Sequence, residues 1–565
     1  MRDRPIPRKT RNPTTVAVIG AGVSGLTAAK YLLAERIETD PDNSFFEVTV
    51  FERKKQAGGI WNQTLADDLY ATPMYPSCNT NVPRSMMQYD GVPYPPHTPL
   101  FPRNSVVKDY LHEYAKSLES KNMVRYNSEV TLVKHGQKDY HRKWKIDVKV
   151  TTTGSVKTFW FDCVVVALGT FTQPSVPAMF EVQRTGGGTI MHSKQYRSAK
   201  EFSNKRVLIV GNGPSYWDMA KDISEVCEGE VLVSTRKNER IPLSSGKQRQ
   251  VSEVLRIASF PNHSLVIFKS GAFYQSSTEV DVILLCTGYQ YDFSMIPCIK
   301  TPEDKRRVLS LYDHMICLKE DSDPTREISI KDYQDLEPKG PGSESTLAFV
   351  GLLTMDNVFL VAEAQSALIA RYFSGRWVIS QPAMKKHRQL EYDRLKAAGL
   401  HASHNFHSMR YPSDADYVDR LFEECLDTES PASMGTGKTP PFHSLYLHWV
   451  RGRIGEIRTK FNTIAWDYED ERYSSLELLG FDLASFDCDS DLKKKVELMS
   501  EFCDLMNEKN RLWQKNHKDW KAASGEWEKR WKRQMEEWKL EMQKLDNLRV
   551  DTSVDKLGEE LARRL

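Results

Sequence analysis

A chain of 565 residues is too long for a single hydrophobic core, so two or three domains are expected. Its 40% hydrophobic and 27% charged residues are the composition of a folded globular protein, which excludes a largely disordered chain. Against 76 acidic residues stand 78 basic ones, a net charge of +2 that gives no reason to expect nucleic acid or an anionic membrane as partner.

The nine cysteines, at 78, 163, 227, 286, 298, 317, 425, 488 and 503, lack the paired short spacings of a disulfide framework or a thiolate zinc site. Reduced thiols and a cytoplasmic location are expected. Met1 to Pro13 is rich in Arg, Lys and Pro without the apolar run of a secretory signal. No stretch reaches the ~18 uninterrupted apolar residues of a membrane helix, so a soluble protein is expected.

In chain order, the first strong pattern is an apolar strand entering glycines, VAVIGAGVSG from Val16 to Gly25, followed by a helix over Thr27–Glu35 and a strand at Val48–Glu52. Pro73 to Pro102, rich in Pro, Tyr and Asn, reads as a long functional loop, and Val164–Leu168 as a strand buried on both faces. A second strand–glycine–helix unit begins at Val207 and closes with an apolar strand at Val280–Leu285. Asp313 to Ser345 reads as an inserted charged loop, and Asp427 to Pro441 as a linker. Past Asn507, the series Trp513, Trp520, Trp527, Trp531, Met535, Trp538, Met542 and Leu545 predicts one face of a long amphipathic helix. That face is expected to pack on its own protein or on a twin subunit, which leaves a homo-oligomer possible.

Gly20, Gly22 and Gly25 give G-x-G-x-x-G between a strand and a helix, where it has mechanical meaning. The first glycine permits a tight turn, the second lets backbone approach a pyrophosphate, and the third brings helix against sheet. Glu52 closes the next strand, where a carboxylate accepts from both ribose hydroxyls and disfavours a 2′-phosphate. Gly58, Gly59, Ile60 and Trp61 supply a second close-approach loop with an aromatic lid, which points to FAD rather than NAD.

The second unit, VLIVGNGPSYWD from Val207 to Asp218, has Gly211 and Gly213 but Tyr216 at the third glycine position. Its following strand, VLVSTR, ends in Arg236, with Lys237 and Arg240 nearby, which suits the 2′-phosphate of NADPH. Two dinucleotide sites of opposite charge preference imply a flavoprotein reduced by NADPH. The fold class expected is α/β: two Rossmann-like dinucleotide-binding domains, one interrupting the other, plus a C-terminal helical extension. The FAD domain covers 14–185 and 299–426 with its insert at 313–345, the NADPH domain 186–298, the linker 427–441 and the extension 442–565.

These residues resemble the flavin-containing monooxygenase family in its fungal form, over Val16 to about Arg376. The resemblance is carried by both glycine motifs, VTVFE with GGIW, and YPSCNTNVPRSMMQYDGVPYP from Tyr75. It continues in FDCVVVALGT, DVILLCTGY, LAFVGL and NVFLVAEAQSALIARYFSGR. The family fingerprint is matched by Gly188, His192 and Tyr196, although its leading aromatic is replaced by Gly186, and Cys286 stands where alanine is usual. The resemblance implies that NADPH reduces FAD, that O2 adds to give a C4a-hydroperoxyflavin, and that a thiol, thioether or amine takes the distal oxygen. Asn81 is then the expected catalytic residue, because its amide can both donate and accept at the flavin. The cofactor-binding set expected is Gly20, Gly22, Ser24, Gly25, Glu52, Gly59, Ile60, Trp61, Thr80 and Asn81, then Gly211, Gly213, Ser215, Ser234, Arg236, Thr287 and Gly288.

Other readings compete. Baeyer–Villiger oxidation of ketones keeps the enzyme class, but that sister group usually has Trp where Tyr196 stands. A non-catalytic scaffold would follow if Tyr216 and Gly186 spoiled the second site and the Trp helix did the work. His401, His404 and His407 recur every third residue but read as a solvated segment, so no metal is expected. His192 reads as a brace between the two domains. Cys78 shows no base that would make it a nucleophile, and Glu363 and Gln365 either help line the flavin pocket or cap a helix.

Overall fold

The computed structural model describes residues 13–37, 43–138, 141–181, 189–236, 243, 246–260, 264–275, 279–318, 345–354, 356–400, 405–429, 435–463, 474–482, 489–516 and 524–551. The first unit begins with β1 (Thr14–Ile19), α1 (Val23–Ala34) and β2 (Phe46–Phe51), followed by α2 (Asn104–Glu119) and β3 (Cys163–Val166). β1 lies between β2 and β3 and runs parallel to both, with Val16 opposite Val48 on one side and Cys163 on the other. Val16 and Val18 enter the core beneath α1, whereas Ala17 and Ile19 face an antiparallel three-stranded sheet on the other side. Burial on both faces explains why this strand reads as an unbroken apolar run rather than as an alternation.

The second unit repeats the scheme with β4 (Val207–Val210), α3 (Pro214–Val226), β5 (Val231–Ser234) and β6 (Val282–Leu285). β4 runs parallel between β5 and β6 in a five-stranded sheet. Val207 and Ile209 pack toward α3, and Leu208 packs toward a small antiparallel sheet of residues 254–275. Two crossings between the units lie side by side, with Tyr289 opposite Pro174 and Gln290 opposite Gln173. After them the chain returns to the first sheet through β7 (Leu347–Phe349), parallel to β3. It then enters α4 (Val358–Ser374), which packs on α1.

The structure revises three sequence expectations. Asp313 to Leu318 is not loop: it turns within a hairpin of the first sheet, with Tyr312 opposite Ile316, and residues 319–344 of the expected insert lie outside the described residues. The stretch read as a linker is woven into the first unit. Within it, Gly435 and Thr436 pair with Ile37 and Arg36, and Glu429 is buried among Arg371, Arg376 and Lys509.

The Trp series, finally, belongs to two helices. After α5 (Gln381–Ala397), α6 (Ser413–Leu426), α7 (Leu445–Gly452) and α8 (Ile454–Thr463) come α9 (Ser490–Asn516) and α10 (Gly525–Asp551), which pack against each other. Trp513 sits on one, and Trp527, Trp531 and Trp538 on the other; Trp520 lies outside the described residues. Their apolar faces meet within the chain, with Phe502 and Trp531 rings 5.1 Å apart, and Phe422 and Leu426 of α6 complete the cluster. No described helix is long and apolar enough to cross a membrane.

Candidate cofactor cleft

Both glycine turns sit where a central strand meets its helix, the point at which open parallel sheets bind nucleotides. Gly20 and Gly211 share a φ of +105°. A β-carbon on Gly20 would meet the Ala167 carbonyl oxygen at 2.5 Å, and one on Gly211 that of Cys286 at 2.4 Å. The two turns are therefore the same device built twice. At Gly25 a β-carbon would lie 1.8 Å from the Gly20 carbonyl oxygen, so α1 can start this close to its strand only with glycine.

Around the first turn, Gly58 donates its backbone N–H to the Ala21 carbonyl at 2.9 Å. A β-carbon on Gly59 would lie 3.0 Å from the Gly22 Cα, so the second glycine loop abuts the first. Ile60 and Trp61 follow in a short 3-10 turn and stay half-buried. Glu52 is buried, and its carboxylate turns back toward the glycines. Oε2 accepts from the Ala21 N–H at 2.8 Å and Oε1 from the Lys54 N–H at 2.9 Å. Each oxygen keeps a lone pair for a ribose hydroxyl. The start of α1, with Ser24 buried behind it, offers unpaired backbone N–H groups and a partial positive charge. Glycine turns, a helix start and a strand-end carboxylate together fit an adenine dinucleotide without a 2′-phosphate.

At the second turn the structure answers the question raised by Tyr216. Its ring goes under α3 into the helix–sheet core, fully buried, and its hydroxyl donates to Gln248 Oε1 at 2.7 Å. The turn itself is open: a β-carbon on Gly213 would have no neighbour within 4 Å. Ser215 is half-buried at the helix start and Arg236 is exposed at the end of β5. Arg306 adds a second cation near Arg236. Burial, and then the like charge of Arg236, lower its pKa, and it donates to the Ser175 hydroxyl at 3.1 Å and the Thr287 carbonyl at 3.2 Å. Lys237 and Arg240 lie outside the described residues. A basic corner beside an open glycine turn fits a phosphorylated dinucleotide.

Some expected contacts are committed elsewhere. Ser234 is buried, with its hydroxyl donating to the Ser252 carbonyl at 2.9 Å and accepting from the Val254 N–H at 3.1 Å, so it holds the strand end rather than facing the turn. Thr287 gives its hydroxyl proton to the Ser175 carbonyl, and the Gly288 carbonyl accepts from Ser175 N–H and His192 Nε2. Both therefore clamp the crossings between the units. His192 accepts at Nδ1 from the Lys194 N–H, which leaves the ring proton on Nε2. Burial pushes this histidine down to about 4, so it is neutral. Gly186 and Gly188 lie outside the described residues.

Asn81 is exposed between two buried neighbours, Thr80 and Val82. The Thr80 hydroxyl donates to the Val82 carbonyl at 2.9 Å, and its N–H to the Pro102 carbonyl at 3.0 Å. A rigid turn thus presents one free-ended amide. Cys78 beside it is no nucleophile, since burial and the nearby Asp218 push its thiol up to about 12. Asp218, on α3, is itself raised to about 6 by burial, with Arg458 opposing the shift.

Lys54, Arg306 and Arg458 near the cleft carry no motif of their own, whereas Gly351 belongs to the LAFVGL run. Gly351 has a φ of +77°, and a β-carbon there would meet Ser24 Oγ at 2.2 Å. Its N–H donates to Gln365 Oε1 at 3.0 Å, so Gln365 supports this approach from α4. Glu363 is occupied in a buried set with Lys438 Nζ at 2.8 Å and the Asp90 N–H at 2.9 Å.

One histidine departs from its expected place. His407 is buried, not solvated: Nε2 accepts from the Val308 N–H and Nδ1 faces His314 Nδ1 at 3.1 Å. Asp313, His314 and Glu391 gather there with metal-ligand chemistry, but Arg420 pairs with Asp313 at 2.6 Å and His387, raised to about 9 by both carboxylates against its burial, faces the same pair. Those cations already balance the acids. His401 and His404 lie outside the described residues.

A sequence model described as flavin-binding monooxygenase-like matches residues 13–247. The chain is 30% identical over 406 residues to the flavin-containing monooxygenase FMO GS-OX5 of Arabidopsis thaliana, covering 67% of this chain and 78% of that protein. To FMO GS-OX1 of the same plant it is 29% identical over 439 residues, covering 73% and 84%. The fold is similar to that of the S-allyl-L-cysteine S-oxygenase from Allium sativum, with a TM-score of 0.61 at 23% identity, over 87% of this chain and 99% of that one.

Proposed function

Because the chain belongs to the flavin-containing monooxygenase family, we propose that it transfers one atom of O2 to a soft nucleophile, a thiol, thioether or amine, with FAD in the first cleft turn and NADPH in the second. FAD, once reduced by NADPH, supplies the O2 chemistry when bound; the chain supplies binding, orientation and exclusion of water. The FAD unit is read as residues 14–185 and 299–426, and the NADPH unit as 186–298.

In the first unit, Gly20, Gly22, Ser24 and Gly25 would cradle the pyrophosphate, Glu52 would take the ribose hydroxyls, and Gly59 to Trp61 would close over it. In the second, Gly211, Gly213 and Ser215 would receive the other pyrophosphate. Arg236, with Arg306 close by, would read the 2′-phosphate that Glu52 refuses. Asn81 would direct its amide into the space between, where it can donate to an oxygen atom and accept a proton-bearing partner. Neutral His192 and the pair Ser175 and Thr287 would keep the two units in register. The observation that carries this reading is the pairing of an acid-ended and an arginine-ended glycine turn in one chain.

The test is direct. Purified chain should be yellow, lose its visible flavin absorbance with NADPH under anaerobic conditions, and transfer oxygen to a thiol or amine on aeration. A sample that stays colourless after incubation with FAD refutes the reading, and so does one that converts all consumed NADPH to H2O2 whatever nucleophile is offered.

A further inference from the structure

The turn that presents Asn81 is held from two sides. From the start of α2, the Asn104 side chain donates to the Tyr75 carbonyl at 3.1 Å and its N–H to the Cys78 carbonyl at 3.0 Å. From the other side comes Arg458 of α8, in the C-terminal extension. Its guanidinium donates to the Thr80 carbonyl, lies over the Phe101 ring 4.8 Å from its centre, and faces the Asp218 carboxylate at 4.0 Å. Phe461 seats the same helix face against Phe101, with ring centres 4.8 Å apart.

We infer that Arg458 is a positioning residue that locks the Thr80–Asn81 turn to α3 of the second unit and so makes the C-terminal extension part of the cleft. Three partners in three directions suit a planar guanidinium and not a lysine ammonium. One edge bonds the carbonyl, the face stacks on the ring, and another edge turns to the acid. The geometry also joins the two units: Thr80 belongs to the first and Asp218 to the second, and Arg458 reaches both from a helix whose Ile457 and Phe461 enter the core of the first. Arg458 gives Asp218 a facing cation, whereas Asp222 of the same helix repels it. The arginine acts through the Thr80 carbonyl, which fixes the direction in which the Asn81 amide leaves the turn.

The inference rests on the role proposed for Asn81, and its test separates the two. Full-length Arg458→Met and Arg458→Lys, loaded with FAD, are compared with the parent chain by amide hydrogen exchange over residues 76–84 and by the fraction of consumed NADPH released as H2O2. Loss of one charge-assisted hydrogen bond should speed exchange in this segment on the order of tenfold in the Met variant, with the Lys variant in between. The peroxide fraction should rise in the same order. Unchanged exchange in Arg458→Met overturns the inference, and so does faster exchange with an unchanged peroxide fraction. If the Met variant does not fold, the Lys variant is judged by the same two readings. A parent chain that consumes no NADPH defeats the proposed function instead, and the exchange contrast then decides alone whether Arg458 holds the turn.

Discussion

Replacing Glu429 by Gln removes one charge from the centre of a buried cluster. The carboxylate is 2% exposed and is met by Arg371 Nη2 at 2.8 Å, by Arg376 and by Lys509 Nζ at 3.0 Å, all three cations being nearly or wholly buried. Burial alone would raise this carboxyl, but Arg376, Lys509 and Arg371 overcome that and hold it at about 2 against an ordinary 4.5. At about 1.4 kcal/mol per decade this is roughly 3 kcal/mol in favour of the charged, folded form. Breaking a buried pair by removing one partner costs ~3–5 kcal/mol, which agrees. A depressed carboxyl contributes stability above its unfolded value of 4.5 and loses it only as the pH falls toward 2. The loss should therefore be equal at pH 7 and pH 6. Lys509 is a weaker member, because burial lowers its pKa even beside Glu429, and Lys509→Met should cost less than Glu429→Gln. Urea unfolding followed by tryptophan fluorescence suits the assay, since Trp513, Trp527 and Trp531 lie in the helix pair that Lys509 fastens. A cost below about 1 kcal/mol for Glu429→Gln, or a larger cost for Lys509→Met, would refute this account.

Asn81→Ala should keep FAD and its reduction by NADPH while sending most electrons to H2O2; unchanged coupling removes Asn81 from the mechanism. Arg236→Ala should raise KM for NADPH roughly tenfold or more, as expected for one lost charge-assisted phosphate contact, and scarcely alter that for NADH. An equal change with both nucleotides would sink the phosphate role. Asp218, raised to about 6, favours the fold fully below 3.8 and loses that contribution as pH rises to about 6. Asp218→Asn should thus leave stability unchanged near pH 4 and increase it by roughly 3 kcal/mol at pH 8. Urea midpoints at the two pH values check this, and a variant less stable at pH 8 contradicts it.

Most of the two nucleotide units could be read from residues whose physics is local. A glycine forced to a φ of +105°, a helix beginning three residues later and a charged residue at the end of the next strand leave marks at fixed spacings, and Gly20, Glu52, Gly211 and Arg236 were all legible on that basis. Partners distant in sequence were not. Nothing near Arg458 marks it as the neighbour of Thr80, and nothing near Gly351 tells of Ser24, because those contacts are made by packing elements far apart in the chain. Ser234 illustrates a related point: a polar residue at a strand end can serve a neighbouring strand as readily as a ligand. The Trp series misled because two antiparallel helices that bury apolar faces against each other carry the same spacing as one long helix.

The side-by-side crossings at Gln173–Pro174 and Tyr289–Gln290 have an architectural consequence. The inserted unit leaves and re-enters at one place, so the first sheet closes over it with little more loss of chain entropy than a short loop would impose. Val166 and Phe349 pair as direct neighbours despite the whole second unit between them in sequence. An excursion tied off at its neck in this way can be lengthened, or given a different nucleotide preference, without disturbing the sheet from which it departs.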